Sequence, residues 1–239
     1  MEEIKFRLSN LHLSGMARQW QTLEETRRTG ELSLADGMAL LLQAETDLRL
    51  ENRYRRLLKN AAFRYQASME EITADPARGM DKMLLSRLAT ADYIRKGETI
   101  LITGASGCGK SFLASALGHQ ACKQGYTVEY QNMQKLLVKL KLARMDGSII
   151  KLFDRIAKTD LLIIDDFGLS ALHGQQQTDF LEIIEDRHAK HATIIASQMP
   201  VASWFDIIGE AVIADAILDR IVHSSHRFEL KGDSLRKKL

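Results

Sequence analysis

Eight consecutive residues have the types and spacing to hold a chain of phosphates: Gly104-Ala105-Ser106-Gly107-Cys108-Gly109-Lys110-Ser111. They match G-x-x-x-x-G-K-[ST] at every fixed position. Glycines in such a loop let the backbone curl so that its N–H groups, and the positive end of a following helix, face phosphate oxygens. Lys110 would supply a flexible cation for the β- and γ-phosphates, and the Ser111 hydroxyl a ligand for Mg²⁺. The plain alternative is a glycine-rich turn ahead of a surface helix, but an octapeptide of this form arises by chance in only about one protein in a hundred of this length. Cys108 occupies a variable position, so its thiol is incidental. The dinucleotide fingerprint G-x-G-x-x-G is not matched.

A second constellation follows roughly fifty-five residues later. Leu161-Leu162-Ile163-Ile164 is an apolar run that ends in Asp165-Asp166, and a buried strand has no need of two carboxylates. Paired with the cradle, Asp165 is expected to serve Mg²⁺ and Asp166 to polarise the attacking water. The triplet Asp166-Phe167-Gly168 occurs in protein kinases, yet no H-R-D catalytic loop precedes it. No Asn-Lys-x-Asp guanine motif occurs either. Further along, Ser197 or Gln198 stands where a side chain could sense the γ-phosphate or orient water. Arg220, on a helix-like run, could reach across a subunit boundary to stabilise the charge of phosphoryl transfer, or simply pair with a local carboxylate. Arg236 is a weaker candidate of the same kind.

These groups must be carried to one place by a fold. Short β-rich runs, Thr99–Ile102, Thr127–Tyr130, Leu161–Asp165, Thr193–Ser197 and Arg227–Leu230, alternate with longer helix-like segments. Several are apolar at both alternating positions, as strands buried between two helical layers are. That rhythm predicts a parallel, doubly wound α/β domain, with ligands at the carboxyl edge of its strands. Before it, Ile4, Leu8, Leu11 and Leu13 fall at helical spacing, Met16 through Glu25 continues, and Leu34 to Tyr65 forms another helical run. The turn formers Asp75-Pro76-Ala77-Arg78-Gly79 suggest a boundary, giving a small all-helical domain over residues 1–75 and an α/β P-loop domain over 76–239.

The helical part carries Arg49, Arg53, Arg55, Arg56, Lys59 and Arg64 against the single acid Glu51 between residues 49 and 64. On a helix, Arg49, Arg53, Arg56 and Arg64 would share one stripe beside an apolar one. A cationic stripe suits the phosphate backbone of DNA, although solubility or an acidic protein partner would also explain it. Lys135, Lys139, Lys141 and Arg144 form a second basic cluster with the same ambiguity.

Composition narrows the classes. The chain has 239 residues, 45% hydrophobic and 27% charged, which excludes wholesale disorder. Its 33 basic and 31 acidic residues nearly cancel, so the positions of the charges matter more than their sum. No run is long enough for a membrane helix, the Met1–Phe6 start carries Glu2 and Glu3 where a signal peptide is expected to carry basic residues, and two cysteines make no disulfide framework. A cytoplasmic protein is expected.

The order and wording of these motifs resemble the IstB-like transposition helper ATPases of bacterial insertion sequences, relatives of the DnaC-type helicase loaders in the AAA+ superfamily. The resemblance covers nearly the whole chain: Leu11–Met16, Glu51–Arg56, Gly104–Ser111, Leu161–Gly168, Ile195–Gln198, Ala214–Arg220 and Arg227–Lys237. It implies ATP and Mg²⁺ as cofactors, oligomers formed on duplex DNA, DNA remodelling, and recruitment or stimulation of a transposase. Lys110 and Ser111 would be the Walker A pair, Asp165 and Asp166 the Walker B pair, Ser197-Gln198 the sensor region and Arg220 a neighbouring subunit's arginine finger. The amino-terminal helices would bind DNA or transposase. Asp166 replaces the glutamate of many AAA+ proteins, so slow hydrolysis is expected. The chain ends soon after Arg236, so no full helical lid is expected. A helicase loader, or an adaptor that uses ATP only to stabilise its assembly, are the alternatives. A small-molecule kinase on the same loop would need its own acceptor pocket and lid arginines, for which no candidate set is present.

Overall fold

In a computed structural model, residues 2–223 and 225–235 are described. The chain divides into two compact units, Met1–Arg56 and Leu57–Leu239.

The first unit is helical. Helix α1 spans Glu2–Asn10 and α2 spans Ser14–Glu25. The expected run from Ile4 onward is broken between them, where His12 adopts a left-handed φ of 58°. Helix α3 spans Leu34–Ala61 and thus crosses the division between the units. It starts at Ser33, whose hydroxyl accepts the Asp36 N–H at 3.1 Å as an N-cap does. Met16, Leu23 and Leu41 form the core of this unit, with Leu8, Leu13, Trp20 and Leu32 packed on it. Helices α2 and α3 approach closely at Gly15, where a Cβ would lie 2.5 Å from the Ala44 carbonyl oxygen. The adjoining Glu45 carboxylate accepts the N–H groups of Gly15 and Met16 at 2.7 and 3.3 Å. These are otherwise unpaired donors at the first turn of α2, and a carboxylate is the complement their dipole favours.

The division falls before Pro76 because residues after Arg56 already belong to the core of the second unit. Leu57, Ala61 and Ala67 are buried. Phe63 lies over Gly118 and stacks on His119 with ring centroids 4.4 Å apart. Helix α3 ends at Ala61, four residues short of the expected Tyr65, and Ala62 turns the chain with a φ of 54°.

Two short helices, α4 (Lys82–Ala89) and α5 (Asp92–Arg95), lead into the sheet. Its strands are β1 (Thr99–Gly104), β2 (Val128–Asn132), β3 (Leu161–Phe167), β4 (Ala192–Ser197) and β5 (His226–Leu230), all parallel in the order β2-β3-β4-β1-β5. All five expected strands are thus present. Helix α6 (Lys110–Lys123) packs on one face, where Gly118 gives room for the Ile163 side chain. The other face carries α7 (Met133–Met145), α8 (Ile149–Lys158), α9 (Gln175–Arg187), α10 (Trp204–Ile208) and α11 (Ala211–Val222). Their apolar stripes meet Leu101, Leu162, Ile164 and Ile195 in one buried cluster, centred on Phe167, Phe180 and Trp204. Strands apolar on both sides therefore lie between two helical layers, as their composition demands.

Candidate functional site

The carboxyl ends of β1, β3 and β4 open on a cavity of about 280 Å³. It is lined by Ser106, Gly107, Gly109, Lys110, Ser111, Asp166 and Gln198, with Tyr65, Phe112 and Leu235 forming its less polar walls. The loop from Gly104 to Gly109 leaves β1, and α6 starts at Lys110, so the helix's free N–H groups lie beside the glycines. Only glycine fits this path at its tightest points. Gly104 has a φ of 143°, and a Cβ there would lie 2.2 Å from the Leu230 carbonyl oxygen. Gly107, at 83°, would bring a Cβ within 2.2 Å of the Ser234 hydroxyl. The segment after β5 closes this side, since the Leu235 N–H donates to the Gly107 carbonyl at 2.9 Å. Lys110 is buried and folds back over the loop, its Nζ donating to the Ala105 carbonyl at 2.8 Å. Cys108 is buried behind the loop, outside the cavity lining.

The acid pair sits on a distortion of the sheet. The register between β3 and β4 shifts between Ile164 and Phe167, and Asp166 has a left-handed φ of 57°. Strict alternation would aim neighbouring side chains at opposite faces; the irregularity re-aims one of them. Asp165 is almost wholly buried and Asp166 partly so. The Asp166 N–H donates to Asp165 Oδ1 at 2.9 Å. Tyr130 donates its hydroxyl to Asp165 Oδ2. Burial, reinforced by that carboxylate, pushes the Tyr130 phenol well above its ordinary value, so it stays a donor. Asn132 Nδ2 donates to Asp166 Oδ2 at 2.9 Å.

Arg64 is the residue whose place departs furthest from expectation. It lies past the end of α3 and so cannot extend the stripe of Arg49, Arg53 and Arg56. Its Nη1 instead donates to Asp166 Oδ2 at 3.0 Å and approaches Asp165 Oδ2 at 3.4 Å. The cation also stands 5.6 Å from the centre of the Tyr65 ring. Nothing in the spacing of the basic residues signals this. Tyr130 and Asn132 were not anticipated either: they alternate at the end of β2, the strand that pairs with β3, with Asn132 opposite Asp165.

Three further expectations separate. Gln198 lines the cavity, whereas Ser197 is fully buried and ties the strand end together, donating to the Phe167 carbonyl at 2.7 Å and accepting the Met199 N–H at 3.0 Å. Arg220 is not among the residues lining this cavity; it binds Glu185 at 2.7 Å and the Ala216 carbonyl at 2.7 Å. Arg236 lies outside the described residues. In the first unit, Arg49 is paired with Glu45 at 2.7 Å.

The donors suit a phosphate chain and a hard divalent cation. Backbone N–H groups and the Lys110 ammonium are the donors a phosphate would need, while Ser111 and the aspartates offer only oxygen, the ligand such a cation prefers. Residues 6–239 match the family of IstB-like ATP binding proteins. The chain belongs to that family. An IstB-like relative from Sinorhizobium fredii, which carries the name of an insertion sequence ATP-binding protein, is 42% identical over 231 residues, covering 97% of this chain and 94% of the relative. Another, named for insertion sequence IS1162 of Pseudomonas fluorescens, is 40% identical and covers 81% of this chain and 84% of its own. Among solved structures, the DnaC helicase loader superposes with a TM-score of 0.58 at 20% identity, over 69% of this chain and 97% of that one. AMPPCP-bound DnaA from Aquifex aeolicus also gives 0.58, at 19% identity, over 73% of this chain and 53% of that one. The IstB-like chain therefore shares the P-loop α/β fold of these two proteins, and among its described residues no helix is long and apolar enough to cross a membrane.

Proposed function

We propose that the protein is an ATP-dependent, DNA-binding helper that assembles on duplex DNA and recruits or stimulates the transposase of its own insertion sequence, in the cytoplasm. The observation that carries this reading is the convergence of Lys110, Ser111, Asp166 and Gln198 on one cavity in a chain of the IstB-like family. The loop N–H groups and Lys110 bind the β- and γ-phosphates. Ser111 and Asp165 hold Mg²⁺, which would neutralise charge on the phosphates when bound. Asp166 orients and polarises water, and Gln198 marks the position of the γ-phosphate. Hydrolysis is slow, because Asp166 has a shorter reach than glutamate and is already tied to Asn132 and Arg64.

Arg220 acts on a second copy of the chain in this reading. Its absence from the lining of its own cavity is what a finger supplied in trans requires, and its partner Glu185 would have to release it. The Arg49, Arg53 and Arg56 face of α3 is the proposed DNA contact, worth up to about 3 units of salt slope when neutralised. The names of the curated relatives favour an insertion-sequence role over helicase loading, for which the DnaC likeness offers fold alone.

Light scattering with and without a non-hydrolysable ATP analogue and duplex DNA tests the proposal. A large assembly is expected only when both are present. A chain that stays the same size in all four conditions would remove the oligomer from the account.

A further inference from the structure

Asp166 lines two cavities. One is the phosphate cavity; the other is a groove of about 540 Å³ bordered by Phe63, Arg64, Asn132, Lys135 and Lys139. The Arg64 guanidinium bridges the two carboxylates, and Arg64 lines the groove while the phosphate cavity's lining does not include it. We infer that Arg64 is a built-in counter-cation of the acid pair, a positioning residue that competes with the divalent metal and sets the concentration at which metal-bound nucleotide can load. This rests on the reading of Asp165 and Asp166 as the metal-bearing edge.

The argument is one of charge and access. Asp165 is buried with a side-chain exposure of 1%, so leaving it without a cation or a full set of donors would be costly. Arg64 and the Tyr130 hydroxyl share its Oδ2 atom. A divalent cation drawing on the same carboxylates would stand within a few ångströms of a guanidinium. Two like charges so close repel strongly at the reduced dielectric of a half-buried site. Either the metal binds weakly or the guanidinium leaves.

The surroundings allow it to leave without unfolding anything. Phe63 anchors the backbone against His119 and beside Tyr130. The Arg64 side chain is 42% exposed and faces the groove, so rotation about its own bonds is enough. Displacement is reciprocal: whatever Arg64 gains from the acids, the metal must overcome, and by the same factor.

The test uses the intact protein and a fluorescent non-hydrolysable ATP analogue, titrated with MgCl₂ from a metal-free start. The midpoint in Mg²⁺ is compared for wild type, Arg64→Gln and Arg64→Lys, with thermal melting to show that each is folded. Removing the guanidinium should lower the midpoint at least about fivefold, the lower end of ordinary coupling between sites. Arg64→Lys keeps a cation with fewer donors and should fall between the other two, so it preserves the test if Arg64→Gln folds poorly. A midpoint that falls by less, or rises, in folded Arg64→Gln overturns the inference, as does one that does not fall at all in folded Arg64→Lys. If the wild type binds no analogue, with or without Mg²⁺, the nucleotide reading itself is what fails.

Discussion

The phosphate cradle and the acid edge meet at one cavity, through Asp166, but are made of different material. From Gly104 to Gly109 the cradle is backbone, fixed by left-handed glycines and by close contact with the strand β5 end. The acid edge consists of side chains from separate segments, Arg64, Tyr130, Asn132, Asp165 and Asp166, joined by charge and hydrogen bonds. A cradle of backbone can be broken only by a change in shape. An edge of ion-paired side chains can be adjusted by a cation, and most of the regulation we attribute to the site is located there.

The largest expected effect separates the two. Lys110→Ala removes a cation from the cradle and should weaken ATP-analogue binding by roughly 10- to 150-fold, the range for lost charge-assisted hydrogen bonds. Titration with a fluorescent analogue in EDTA checks it, because the metal-bearing edge is then silent. Equal binding by the variant would mean that Lys110 does not face the phosphates.

Gly104→Ala tests the shape of the cradle instead. Its strain should cost about 1–3 kcal/mol in urea unfolding, and nucleotide affinity should fall with it. An alanine accepted without loss would show that the loop has room that the 2.2 Å approach to Leu230 denies.

Tyr130→Phe should act on the edge alone. It leaves a lone pair of Asp165 without its hydroxyl donor, at about 1–3 kcal/mol of stability. The metal-dependent part of nucleotide binding should change while binding in EDTA does not. A loss of binding in EDTA as well would erase the distinction drawn here between backbone and side-chain parts.

That distinction also explains what could be read in the amino-acid sequence. The cradle was legible because its eight residues are contiguous and each has a fixed task. The five strands were legible as short β-rich runs, and β1, β3 and β4 most clearly, because apolar residues fill both of their faces. Asp165 and Asp166 stood out as paired charges at the end of an apolar run. The residues that complete the edge were not legible: Tyr130 and Asn132 reach the acids through strand pairing, and Arg64 through a turn at Ala62 that no local pattern announces. The periodicity argument placed Arg64 on a helix that ends three residues before it. Ser197, the last residue of β4, is buried and tied into the strand turn, whereas Gln198, just past the strand, lies on the cavity.

The smallest effect belongs to the first unit, where a carboxylate is again tied to an arginine but opens on no cavity lining described above. The hydrogen bond from Arg49 holds the Glu45 carboxyl below its ordinary value of 4.5, aided by the Gly15 and Met16 amides against the cost of burial. Its contribution to stability is therefore present above pH 4.5 and lost as the pH falls through the lower folded value. Glu45→Gln should cost about 0.3–1 kcal/mol at neutral pH, as a charge at a helix amino terminus does. Unfolding followed by helical circular dichroism should show the two proteins converging in acid; a gap that persists there would assign the effect to packing.

The central claim is that Gly104–Ser111 and the acid edge together hold a metal-bound nucleoside triphosphate. Calorimetric titration of the intact chain with AMPPNP and Mg²⁺ addresses it directly. One saturable site per chain, weakened by Lys110→Ala, is the predicted result. No saturable heat at about 1 mM ligand, a concentration that would reveal binding as weak as −4 kcal/mol, would contradict it.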